Sequence, residues 1–294
     1  LLRGEGDAKR SMYGLVLGSG LNIILDPIFI YLLDMGVIGA AWATMISISI
    51  SSLLFCYWLF IKKDTYLDIT IRHLKPNRKL LGEILEVGIP SSLAQISMSV
   101  AMIFLNKVVI MADGTDGVAV FTSGWRIVML GAIPLFGMAT GVVAVTGAAF
   151  GSRNKEKLKT AFFYSIKLGI FIELGVALLV GIFARQISFL FTYSEGAGHI
   201  SDELINFFRI MCIIYPTIPL GMLTSAMFRG VGKGKRSLIV TILRTIIFQV
   251  PVAYLLGIVF QMGLTGVWLG VITGNVIAVI ITFSWGRYTV NHIL

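Results

Sequence analysis

Charge is what this sequence has least of. Asp, Glu, Lys and Arg make up 13% of its 294 residues, against about 25% in an average soluble domain. Hydrophobic residues make up 56%. A water-soluble core cannot hide that much apolar surface, so the composition excludes a soluble domain and predicts a membrane protein. Cysteine is almost missing. Cys56 and Cys212 both lie in apolar runs, which gives no disulfide framework. Histidine is as scarce: His73, His199 and His292 are scattered without metal-ligand spacing. A phosphate loop is lacking too. The segment GVGKGKRS at 230–237 misses the G-x-x-x-x-G-K-[ST] spacing, and no strand pattern precedes it. These absences predict no enzyme, no ATP-driven pump and no cofactor.

What is there is eight apolar runs, at about 12–33, 37–61, 84–112, 117–149, 160–184, 203–228, 237–260 and 263–286. About 20 apolar residues cross the hydrocarbon core as a helix. Seven runs fit one tilted helix each. The fourth is too long for one straight span and too short for two. Pro134, among Gly131, Gly137 and Gly141, predicts a kink there. Pro27, Pro90, Pro216, Pro219 and Pro251 also fall in apolar runs and predict further broken or bent helices. The fold class is all-α, a polytopic membrane protein.

Charges alternate between the loops. Lys and Arg cluster at 3–10, 62–79, 153–159, 229–236 and 287. The intervening turns carry Asp34, Asp113, Asp116, Glu195, Asp202 and Glu203. Positive-inside bias puts the basic loops in the cytoplasm, with the start of this chain and its C-terminus on that side of a cell membrane. The same bias accounts for the net charge of +9 without nucleic acid.

The chain repeats itself. RGEGDAKRS at Arg3–Ser11 returns as RGVGKGKRS at Arg229–Ser237, identical at six of nine positions with an offset of 226. MGVIG at Met35–Gly39 returns as MGLTG at Met262–Gly266 with an offset of 227. Two copies of one architecture are predicted. The second copy follows the fourth span of its lobe, so the first is expected to follow a fourth span as well. Four spans would then precede Leu1, and the whole would be two six-helix lobes. On that expectation residues 1–61 are the last two helices of an N-terminal lobe and 62–83 a cytoplasmic linker. Residues 84–288 are a six-helix C-terminal lobe and 289–294 a cytoplasmic tail.

Asp26 is the sharpest chemical signal, because an ionised carboxylate inside the membrane is costly and usually lines an ion or proton path. Asn22 lies four residues earlier on the same helix face. Asp26 and Thr44 are each eight to ten residues from the turn at Asp34-Met35, or ~13 Å deep at ~1.5 Å per residue. Oxygens from Asn, Asp and Thr suit Na+, and Asp alone suits a proton. Pro27 would perturb the backbone beside them. A structural acid satisfied by a neighbouring helix is the plainer alternative. A second polar set, Gln95, Arg126, Glu173 and Arg244, is embedded in four different runs. It reads equally as a charge-paired network locking helices or as coupling and proton-handling machinery. Lys107 and Arg209 lie near outer helix ends and snorkel. Met98, Met102, Met129, Met138, Met222 and Met227 are candidates for an adaptable drug surface, though ordinary packing explains any one of them.

The RG-x-G loop, the N-x-x-x-D span, the MG-x-x-G turn, Gly88-Ile89-Pro90 and the second RG-x-G together resemble the multidrug and toxic compound extrusion (MATE) family. The resemblance runs from Leu1 to about Tyr288, as helices five to twelve of twelve. It implies two pseudo-symmetric lobes around a cleft, and export of organic, often cationic, drugs against Na+ or H+. One branch of the family holds its cation in the N-terminal lobe, with an Asn and Asp on the fifth helix, a Thr on the sixth and an Asp on the first. Asn22, Asp26 and Thr44 match the first three. Another branch uses acids on the seventh and tenth helices; residues 87–111 and 204–228 contain none. Partners implied are drug substrates and the bilayer, with a monomer as the full-length state. Two other readings are a lipid-linked oligosaccharide flippase of the same superfamily and a non-transporting fragment.

Overall fold

The computed structural model describes residues 7–62, 77–193 and 198–293. Every regular element among them is helical. Among the described residues, eight stretches are long and apolar enough to cross a membrane, from Lys9–Leu32 to Gly263–His292. The chain divides into two compact units, Leu1–Asn77 and Arg78–Leu294. Residues 3–6 of the first basic loop, residues 63–76 of the expected linker, and Glu195 lie outside the described residues.

The described residues of the first unit form a helical hairpin. Helix α1 (Ala8–Pro27) is capped by Asp7, whose side chain accepts from the Arg10 amide at 3.0 Å and pairs with the Arg10 guanidinium at 3.2 Å. Directly after Pro27 the helix widens into a π-helical turn, Ile28–Leu32. Proline has no N–H to continue the ladder, and a π-turn re-forms the lost bonds one residue further on. The chain reverses through Asp34 (φ 51°) and Gly36 (φ 53°) into α2 (Gly36–Cys56), which ends in a second π-turn, Tyr57–Lys62.

The second unit starts at Arg78, inside the segment expected to be linker. Helix α3 (Arg78–Gly131) holds two arms, 78–112 and 115–131, separated at Asp113 and Gly114. Gly114 has φ 63°, which a side chain would resist. The second arm bends at Ala132 into α4 (Ile133–Gly151), so the long fourth run is one kinked path with Pro134 just past the bend. Helix α5 (Lys155–Ile182) is capped by Asn154, which accepts from the Lys157 amide at 2.9 Å. Then come α6 (Ala184–Thr192), α7 (Ser201–Met211) and α8 (Ile218–Gly230). Pro216 lies within the break between α7 and α8, and Pro219 is the second residue of α8. Helix α9 (Gly234–Ile242) passes through a π-segment, Leu243–Gln249, into α10 (Val250–Tyr254) and a further π-turn, Leu255–Val259. The last helix, α11 (Gly263–His292), runs into residues expected as a tail.

Two apolar clusters hold this unit. In one, Phe121 stacks on Trp268 at 5.6 Å and Phe207 meets the same indole edge-on at 4.9 Å. The other gathers Leu158, Phe162, Leu223, Met227 and Phe228. Large side chains such as Phe171, Leu178 and Ile182 stay exposed on α5. Water would disfavour them and hydrocarbon does not.

The repeat extends to individual hydrogen bonds. The π-turns Ile28–Leu32 and Leu255–Val259 are counterparts at offset 227. Leu33 N–H donates to the Ile28 carbonyl at 2.9 Å, and Phe260 N–H to that of Leu255 at 2.9 Å. Met35 reaches Phe29 at 3.2 Å, and Met262 reaches Leu256 at 3.3 Å. A methyl on Gly39 would lie 2.5 Å from the Phe29 carbonyl oxygen, and one on Gly266 2.5 Å from that of Leu256. The change of offset from 226 to 227 also has a place. The second copy carries one extra residue between its loop and its turn. The π-segment Leu243–Gln249 lies in that interval, whereas α1 is regular α-helix as far as Pro27. A wider turn takes up one residue more.

Candidate cation site

Asn22 and Asp26 stand one turn apart on α1, and Thr44 faces them from α2. The Asn22 Nδ2 donates to Asp26 Oδ1 at 3.2 Å and to Thr44 Oγ1 at 3.3 Å. The Thr44 hydroxyl donates in turn to the Ala40 carbonyl at 2.9 Å. Three side chains from two helices therefore converge on one amide nitrogen. The hairpin produces this match of depth: both helices leave the same tight turn, and Asp26 and Thr44 are similar distances from it. Asn22 and Asp26 are half-buried and Thr44 is exposed. Pro27 follows Asp26 directly and marks where α1 gives way to the π-turn.

The second predicted set is dispersed. No hydrogen bond or ion pair joins any two of Gln95, Arg126, Glu173 and Arg244. Gln95 is exposed on the first arm of α3. Arg126 is exposed on the second arm, beside an open groove of about 450 Å³. That groove is also lined by Met102, Asn106, Phe121, Trp125 and Met129. Arg244 lies in the π-segment with its side chain against Gly221 of α8. Glu173 is fully buried on α5, and neither carboxylate oxygen finds a partner. It shares a face with Gly169, which lies against Pro219 and Leu135, and with Val176, which lies beside Gly131. Rise along a helix sets depth but not direction, and side chains on different spans need not face one another. Of the six methionines, Met102 and Met129 line the groove, while Met227 is fully buried and Met138 and Met222 pack against the second apolar cluster.

One buried polar cluster was passed over in the sequence. Gln249 Nε2 donates to Asn275 Oδ1 at 3.3 Å. Asn275 Nδ2 donates to Thr217 Oγ1 at 2.6 Å. The Thr217 hydroxyl donates to the Ile214 carbonyl at 2.6 Å. The repeat held the signal, since Gln249 stands 227 residues after Asn22.

Comparison with known proteins agrees with this architecture. The MatE family model matches residues 90–255. The multidrug export protein MepA of Staphylococcus aureus is 29% identical over 270 residues, which is 90% of this chain and 57% of that protein. A multidrug resistance MATE family transporter of the MOP superfamily, solved in an outward-facing conformation, superposes with a TM-score of 0.96 at 54% identity. A MOP superfamily transporter from Pyrococcus furiosus does so with 0.96 at 55% identity. Each of these two superpositions covers 99% of this chain and 64% of the solved chain. The chain thus spans about three fifths of the length of these relatives. With the family model matching over more than half of its residues and the helices superposing along nearly all of them, this chain belongs to the MatE family.

Proposed function

We propose that this chain works in secondary active export of organic, often cationic, drugs or toxic metabolites in exchange for Na+ or H+. The observation that carries the reading is the Asn22–Asp26–Thr44 cluster. In the structure the Asn22 amide NH2 bridges the other two side chains, a donor placed where a cation would sit. Rotating that amide by half a turn replaces Nδ2 with Oδ1. The cluster then offers three oxygens, one of them anionic, which is a hard-ligand set for Na+. A proton on Asp26 would serve the same end by removing its charge. Pro27 and the π-turn give α1 a place to bend when the cluster changes state. A bound ion and a drug need only favour different arrangements of that helix to exchange with one another. The groove beside Trp125 and Arg126 has the size and apolar lining of a small-molecule surface.

This reading is tested in the full-length protein reconstituted in vesicles, with drug export driven by a Na+ or a pH gradient. Asp26→Asn is expected to abolish export under both. Intact export in that variant would sink the reading. Which gradient drives the unaltered protein decides the coupling ion. The expected cytoplasmic side of the basic loops and the monomeric state belong to the same proposal. A lipid-linked oligosaccharide flippase is the second reading, favoured by the Arg126 guanidinium at an apolar groove. It predicts export that ignores both gradients and depends on Arg126.

A further inference from the structure

The register of the two copies compares the cation cluster with its own counterpart. At offset 227 the π-turns, the left-handed residues Asp34 and Gln261, and the Gly39–Phe29 and Gly266–Leu256 contacts all coincide. The same register assigns Asp26 to Ala253 and Thr44 to Val271. Carried back across the α-helical turn 250–254, it assigns Asn22 to Gln249. The second copy therefore keeps the amide and loses both the carboxylate and the hydroxyl. Ala253 and Val271 are fully buried in the apolar core. An ion there would meet no anion.

The retained amide is also satisfied differently. Asn22 donates to Asp26 and Thr44, groups that an ion would claim. Gln249 donates to Asn275, one turn beyond Val271 on α11, and Asn275 passes the bond to Thr217 at the break before α8. The chain ends on the Ile214 carbonyl in that break. Each donor finds an acceptor, all are uncharged, and Gln249 and Asn275 are 7% and 2% exposed. Three helical segments are tied together without an ion. Backbones approach closely along the same seam: Gly270 and Gly274 of α11 lie against Ala253 and against Phe248 and Gln249.

We infer that the second unit carries a filled, charge-free copy of the cation site, in which the Gln249–Asn275–Thr217 chain stands in for the ion and holds its helices in one arrangement. The inference rests on the cation reading of Asn22, Asp26 and Thr44 for the word "copy", and on the hydrogen bonds of the second unit alone for the lock. Its consequence is asymmetry. Ion exchange rearranges the 8–32/36–62 pair only, and the 234–259/263–292 pair stays closed throughout transport.

The test is thermal unfolding of the purified full-length protein, in NaCl against choline chloride and across pH. Asn275→Val is expected to lower the melting temperature by about 3 °C or more in every salt, while leaving the ion-dependent shift at its original size. Thr217→Val, a milder change, is expected to do the same to a lesser degree and serves if Asn275→Val fails to fold. Asp26→Asn is expected to remove the ion-dependent shift. Ala253→Asp is expected to install a second shift that survives in the Asp26→Asn background. An ion-dependent shift lost in Asn275→Val or Thr217→Val would overturn the inference, because an ion would then bind the second unit. Unchanged melting in both would overturn it too, because the chain would lock nothing. A shift that survives Asp26→Asn and both valine variants would instead remove the cation reading and leave the lock standing.

Discussion

Asn22 and Asp26 meet across one turn of α1, amide nitrogen to carboxylate oxygen, at 3.2 Å. The bond costs the carboxylate little freedom, since the other Asp26 oxygen makes no bond within the cluster. In the proposed cation reading, this bond puts a donor at the place an ion would take.

Two substitutions separate charge from shape at this point. Asp26→Asn keeps the volume and removes the anion. Asn22→Leu keeps the anion and removes a ligand. The first is expected to reduce gradient-driven drug export at least 100-fold. The second is expected to weaken apparent ion affinity by about 10-fold, near the lower end for lost ligand-sphere contacts, with the maximal rate less affected. Transport measured against ion concentration distinguishes them.

The seam between α10 and α11 depends on the absence of side chains. Gly266→Ala would place a methyl 2.5 Å from a backbone oxygen that cannot rotate away. Overpacking of this kind costs about 1–3 kcal/mol, and Gly39→Ala meets the same obstacle in the first unit. Gly175 on α5 has nothing within 4 Å of a would-be methyl. Gly175→Ala is expected to be neutral or stabilising by up to about 1 kcal/mol. Melting temperatures in detergent rank the three variants.

Glu173 predicts an unusual gain. Both of its oxygens are buried without a partner, and an unsatisfied buried polar group costs about 1–3 kcal/mol. Glu173→Leu is expected to raise the melting temperature by about 2 °C or more. If Glu173 were one half of a salt bridge to Arg126 or Arg244, the same change would lower it. Export assayed alongside shows whether the carboxyl is kept for transport.

The groove on α3 can be probed from both ends. Trp125→Ala is expected to weaken an aromatic drug by about 2- to 10-fold, the loss of one ring contact. Arg126→Ala removes a positive charge and is expected to tighten an organic cation. The flippase reading expects that variant to be inactive. Equilibrium binding of a cationic dye to the purified protein decides between them.

The sequence made the hairpins legible because hydrophobic length, loop charge and proline position each act locally. Asp26 and Thr44 could be matched in depth because a tight turn serves as a common origin for both helices. Arg126 and Glu173 could not be paired the same way. Their spans share no such turn, and counting residues leaves the rotation of each helix open. The Gln249–Asn275–Thr217 chain was hidden for a related reason. Uncharged amides in apolar runs look like background until a repeat says which one answers to Asn22. Gly266, Gly270 and Gly274 recur at helical spacing, but spacing alone does not reveal the backbone oxygens that lie against them.

The π-segment Leu243–Gln249 has a further consequence for descent. In a strict α-helix one added residue turns everything beyond it by about 100°, which would swing Gln249 and Ala253 away from α11. A local widening absorbs the addition and leaves the far end facing as before. Two duplicated halves can therefore drift in length and keep their seams aligned, so a gapless alignment of one half on the other is one residue out of step on one side of this segment. Deleting a single residue within 243–249 should return this stretch to plain α-helix, and is the length change that the second half should tolerate best.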